Sequence, residues 1–141
     1  MWVKVRLRRP GSSDERVVSA YANGGFRAGE PTIILPASLA LELGFDVRGE
    51  RATRGLAIGG LEAEMRELGQ AEVKVEVGDR PTPWARCRVL YIEGQDEALL
   101  SRELMGALGI RPFYDIGKWR LADDEPGVLR DEAEPEYFPP P

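Results

Sequence analysis

VVSAYANGGFRAGEPTIILPASLALELGF, running from Val17 to Phe45, is the stretch on which the reading of the fold turns. Residues 17–22 form an apolar run with the character of a strand. Asn23-Gly24-Gly25 then makes a tight turn, where glycine permits positive φ and a close approach of backbone. A loop over 26–31 leads to a second apolar run, Thr32-Ile33-Ile34-Leu35, read as a short buried strand. Pro36 stands where a helix tolerates proline, at its start. The helix is expected over 37–43, closed by Gly44. The unit is therefore strand, turn, strand, capped helix.

This unit has an echo further along. Leu39 to Phe45 shares a Leu-x-x-x-Leu-Gly-apolar frame with Leu104 to Ile110, and each copy follows a short apolar run. Two ordinary glycine-capped helix ends would give the same frame.

The rest of the chain reads mostly as strands. Trp2 to Arg8 alternates apolar and basic residues, the period of a half-buried strand. Residues 10–14 make a turn that brings 17–22 back as its hairpin partner. Residues 51–58 and 61–68 flank Gly59-Gly60 as a hairpin with a two-glycine tip. Val73, Val75 and Val77 alternate with Lys74 and Glu76 in a further strand, and 84–92 is another. Leu99-Leu100 leads into a helix over 101–108, with Ser101 as N-cap and Gly109 as the stop. Residues 113–115 and 118–121 form a last small hairpin around Ile116-Gly117. Many short strands with one or two short helices point to an all-β protein closed as a barrel. Cys87 and Trp119 are expected in its packing.

At 141 residues the chain is long enough for one domain with a sizeable core. Its net charge of -5 is unevenly placed. From Ala122 onward, seven carboxylates face one cation, Arg130, and the remainder of the chain is close to neutral. Residues 1–121 are thus expected to form the barrel, and 122–141 an acidic, proline-rich tail, mobile or loosely docked. No basic face interleaved with aromatics appears, which disfavours a barrel that binds single-stranded nucleic acid. No apolar run is long enough to span a membrane as a helix, and no signal pattern opens the chain. With a single cysteine, Cys87, these features lead to the expectation of a cytoplasmic protein. One asparagine, two glutamines and sixteen arginines against three lysines fit a heat-loving source. The chain contains no histidine, so Ser-His-Asp and Cys-His nucleophilic sites are excluded. A catalytic zinc site is disfavoured for the same reason, and the residues imply neither a metal nor a cofactor.

Taken together, Asn23-Gly24-Gly25, the segment from Ile33 to Gly44 and the hairpin Ala57-Ile58-Gly59-Gly60-Leu61 resemble the retropepsin-like family of single-lobe aspartic proteases. The block Leu99-Leu100-Ser101-Arg102-Glu103-Leu104, followed by Leu108-Gly109-Ile110, is similar to that family's second conserved block. The resemblance covers roughly residues 2–121. It implies a closed acid-protease-like barrel and a homodimer whose two turns meet on the two-fold axis. It also implies that the hairpin at Ile58, Gly59 and Gly60 covers the substrate as a flap. An ordinary hairpin is the plainer alternative there, and an ordinary turn is the plainer alternative for Asn23.

In active members of the family each turn brings an aspartate, and the pair shares a proton and activates water. Two carboxylates so close cannot both ionise, which supplies one acid and one base. Here Asn23 stands at the aspartate position. Gly24 replaces the hydroxyl residue that braces the turn, and Ser101 replaces a glycine of the second block. These three departures argue against ordinary proteolysis and for a poorly braced turn. The first expectation is thus a homodimer without peptidase activity that binds a peptide or protein segment. The alternative is an active aspartic endopeptidase. Asp14, Asp46 and Asp96 sit in turns and are poor sources for its carboxylate, whereas deamidation of Asn23 would create one.

Overall fold

The structure, a computed structural model, describes residues 1–47, 52–58 and 61–141; for 52–58 and 61–64 it describes the backbone. β1 (Trp2–Arg8) pairs antiparallel with β2 (Glu15–Ala22), with Val5 opposite Val18. After the Asn23 turn come β3 (Thr32–Ile34) and the helix α1 (Ala37–Glu42). β4 (Ala52–Ile58) and the long β5 (Leu61–Val75) form a hairpin, with Ile58 opposite Leu61. β6 (Ala85–Tyr91), β7 (Ala98–Leu100) and the helix α2 (Arg102–Leu108) follow. Six strands run in the order β1-β2-β7-β3-β6-β5, and β5 returns to β1, so the barrel closes. The all-β closed barrel with two short helices is the fold expected from the pattern.

Closure depends on β5. Its beginning pairs with β4, its middle with β6, and its end with β1, where Val73 lies opposite Leu7 and Val75 opposite Val5. The sequence reading split this strand in two. The break falls at Gly69, whose φ of +133° is open to glycine alone, at a register shift between Glu67 and Gly69. A bulge of this kind bends a strand without ending it.

The centre of the barrel has an interlocked topology. β7 lies between β2, to which it is parallel, and β3, to which it is antiparallel. β3 in turn lies between β7 and β6, and is parallel to β6. The arms joined by loop 23–31 therefore grip β7, and the arms joined by loop 92–97 grip β3. β3 and β7 are buried along their whole length, and Val89-Leu90 of β6 continues their apolar pairs. Ile33, Val89 and Leu100 enter the main core, while Ile34, Leu90 and Leu99 join Phe26 and Met65 in a second cluster. The two helices of the echo each follow one of the central strands. Ser101 caps α2 by accepting from the Leu104 N–H, and Gly109 ends it with φ +76°. α1 starts from Pro36 and has no side-chain cap.

β1 shows the expected alternation. Val3, Val5 and Leu7 are fully buried. Arg6 pairs outward with Glu15 and Glu76, and Arg8 with Glu15 and Glu72. Trp119 packs in the core, and burial pushes the Cys87 thiol up to about 12, so it is not a nucleophile at neutral pH.

The acidic segment is docked, which corrects the expectation of a mobile or loosely held tail. β8 (Ile110–Phe113), β9 (Lys118–Leu121) and β10 (Arg130–Asp131) form a second sheet in the order β10-β9-β8. Asp124 is buried, accepts the Leu121 N–H at 2.8 Å, and bonds both Arg80 and Arg130. Further on, Glu132 accepts the Trp2 N–H, Ala133 donates to the Trp2 carbonyl, and Glu136 accepts the Ser19 N–H. Phe138 is only 8% exposed. Asp123, Asp124, Glu132 and Glu136, which looked like part of a solvated run, serve as acceptors for main-chain donors and arginines.

Candidate functional site at the Asn23 turn

The end of β2 and the start of β3 fix where the turn sits. The Asn23 N–H donates to the Leu100 carbonyl at 3.3 Å, and the Phe26 N–H donates to the Asn23 carbonyl at 3.0 Å. This is a four-residue β-turn tied to β7. Asn23 Oδ1 accepts the Gly25 N–H at 2.9 Å. The fully buried Phe26 then plugs the loop into the second apolar cluster.

Neither Gly24 nor Gly25 has a positive φ, contrary to the expectation from Asn-Gly-Gly. What glycine supplies here is clearance. A Cβ on Gly24 would lie 3.3 Å from the Tyr114 hydroxyl, and one on Gly25 would lie 3.3 Å from Asn23 Oδ1.

The turn is not loose, because α2 braces it from a position the sequence reading did not use. Ser101 is fully buried, and its hydroxyl accepts both the Thr32 N–H at 3.0 Å and the Leu104 N–H at 3.1 Å. The Glu103 carboxylate takes the N–H groups of Ala28 and Gly29, both at 3.1 Å. Burial pulls that carboxyl up. The bonds from Ala28, its own N–H, Gly29 and Ser101 outweigh the burial and hold it below the usual range. The Arg102 N–H donates to the Phe26 carbonyl at 2.8 Å. A hydroxyl and an acid at the start of a predicted helix were visible as capping signals, but nothing local marked a loop seventy residues away as their target.

Gly24 opens onto a groove of about 550 Å³ whose lining includes Arg102, Met105, Arg111 and Tyr114. No carboxylate lines it among the described residues, and neither arginine has a carboxylate partner there. Tyr114 is 56% exposed, and its hairpin neighbours Phe113 and Ile116 are exposed as well. Arg102, Arg111 and Tyr114 were not marked as site residues in the sequence, because exposed arginines and hairpin aromatics are common on any surface.

The structure thus brings Asn23, Gly24 and Gly25 together in one turn. Of the flap-like set, Gly59 and Gly60 lie outside the described residues, and Ile58 is described through its backbone pairing with Leu61. Among the described residues, no group of three or more acidic or cysteine side chains could hold a metal, and no helix is long and apolar enough to cross a membrane. The class defined is a closed six-stranded β-barrel, compatible with a single-lobe protease-like fold. Neither a family model nor a curated protein matches the chain.

Proposed function

We propose that this chain, while residue 23 keeps its amide, works as a retropepsin-like homodimer without peptidase activity, holding an extended peptide or protein segment. The observation that carries the proposal is the amide at residue 23. It stands at the head of the turn that clasps β7, and its oxygen is already engaged by the Gly25 N–H. An amide neither accepts a proton near neutral pH nor shares one with a twin, so the acid–base pair that activates water is missing.

Two features support a binding role. Among the described residues β4 pairs with β5 alone, as an edge strand of its sheet, and an edge of this kind can accept an extended segment by strand addition. Tyr114 stands beside Gly24, and Phe113 and Ile116 of the same hairpin are exposed with it, as an apolar face for a second copy would be.

Freshly purified protein, with its Asn23 amide verified by mass spectrometry, should not cleave unfolded casein between about pH 3 and pH 7. Light scattering at tens of micromolar should give a dimer mass. Cleavage blocked by a statine-type inhibitor would refute the missing activity. A clear monomer mass would remove the shared cleft. The competing reading, an active endopeptidase, requires a carboxylate at the turn. Among the turn residues only Asn23 can become one.

A further inference from the structure

Asn23 is the chain's one asparagine, and glycine follows it. In such a pair the glycine nitrogen can attack the side-chain amide carbon, because no Cβ shields it. Three features of the folded turn favour this reaction. The Gly24 N–H finds no acceptor among the described residues, so losing its proton breaks no hydrogen bond. The Gly25 N–H already points at Asn23 Oδ1 at 2.9 Å, the oxygen on which charge collects as the amide carbon becomes tetrahedral. A donor fixed at that position acts as an oxyanion hole does. Water also has access, since Asn23 and Gly24 are half-buried and Gly25 is exposed. The groove that Gly24 lines also presents Arg102 and Arg111.

We infer that Asn23 is a self-modification site, at which the folded chain converts its own amide into an aspartate carboxylate through Gly24. The Gly24 nitrogen gives up its proton to solvent and bonds to Asn23 Cγ. The bond from Cγ to Nδ2 breaks, and ammonia leaves with a proton taken from water. A five-membered imide remains. Water then adds at Cγ, the bond from Cγ to the Gly24 nitrogen breaks, and a carboxylate is left on a normal backbone. In total one water enters and one ammonia departs, with nothing oxidised or reduced.

Addition of water at the main-chain carbonyl would instead route the backbone through the side chain. The fold opposes that outcome. The Asn23 carbonyl is held by the Phe26 N–H, the Asn23 N–H by Leu100, and the Phe26 side chain is fully buried. An extra carbon in the chain between them would break this frame, whereas opening at Cγ keeps it.

The test incubates the full chain, folded and below its melting temperature, beside a synthetic peptide of residues 18–28. After digestion, mass reports loss of the amide, and chromatography separates aspartate from isoaspartate at position 23. The folded chain should lose its amide at least as fast as the peptide, with a several-fold higher ratio of aspartate to isoaspartate. Gly24→Ala, which shields the nitrogen at a position without positive φ, should slow the conversion several-fold. The inference is overturned if the chain keeps its amide after the peptide has lost most of its own. It is also overturned if chain and peptide give the same product ratio, or if the Gly24→Ala chain reacts at the parent rate. The readout is mass and requires neither dimer nor bound peptide, so this inference and the binding role can fail separately.

Discussion

Loops 23–31 and 92–97 occupy matching places in the interlocked centre of the barrel, and they have been finished in opposite ways. Each begins within a Tyr-x-x-Gly segment, Tyr21-Ala22-Asn23-Gly24 in one and Tyr91-Ile92-Glu93-Gly94 in the other. Each opens with a four-residue turn, closed by Phe26 on Asn23 and by Gln95 on Ile92. The second loop is tied to the chain's own end. The Phe138 N–H donates to the Asp96 carbonyl at 2.6 Å, and Pro139, Pro140 and Pro141 line a hollow of about 450 Å³ with Tyr91, Glu93 and Gly94. The first loop is tied from beneath by Ser101 and Glu103 while its tip stays uncovered. Two equivalent turns therefore do not make two equivalent sites. The first turn is held by side chains of α2, whereas the second is joined to the chain's own tail through Asp96 while Glu93 and Gly94 stay exposed.

The largest expected effect comes from removing the brace of the open loop. Ser101→Ala takes away a buried acceptor of two N–H groups and an N-cap together, and should cost about 3 kcal/mol of unfolding free energy by urea titration. A loss within about 0.5 kcal/mol, the usual range for a surface change, would show that the brace does not hold the loop. Releasing the tail from the second loop should cost somewhat less. Phe138→Ala removes a buried ring near a chain end that can relax, and about 2 kcal/mol is expected, with new protease sensitivity in residues 92–97. If that loop stays resistant, the tail does not hold it.

Glu103→Gln should cost about 1 kcal/mol at neutral pH, because one charged oxygen accepting a main-chain N–H is replaced. Its pH dependence has a definite sign. The folded carboxyl titrates below its ordinary value, so its contribution is present above an unfolded value of about 4.3 and is lost as pH falls toward the folded value. The gap in melting temperature between parent and variant should therefore narrow from pH 7 to about pH 3. A constant gap would separate Glu103 from the loop.

The smallest effect is expected for Asn23→Asp, and it tests whether two open turns meet. In a homodimer two facing carboxylates would raise one apparent pKa above about 3.9. A group with a raised folded value contributes stability at low pH, where it is protonated, and loses it as pH rises. The variant should then melt lower relative to the parent at pH 7 than at about pH 4. The same difference at both values would place the two turns apart.

Much of the local structure could be read from single segments. The alternation of Val3, Val5 and Leu7 with charged residues placed β1, the run Thr32 to Leu35 placed β3, and Ser101 and Gly109 bounded α2, since each signal lies within a few residues of its effect. The turn at Asn23 was legible as a turn with an amide at its head. Its brace was not, because Ser101 and Glu103 reach it from about seventy residues away.

What the sequence determined by itself is therefore most of the individual strands and helices and the amide at the head of the turn, because side-chain periodicity, caps and residue type are properties of neighbouring residues. Tertiary structure alone decided that β7 passes between β2 and β3, that Gly69 bends one strand where the pattern read as two, and that an acidic run becomes a docked strap. Each of these depends on which distant donors and apolar faces are left unpaired when the barrel closes. That quantity exists only once all six strands are in place.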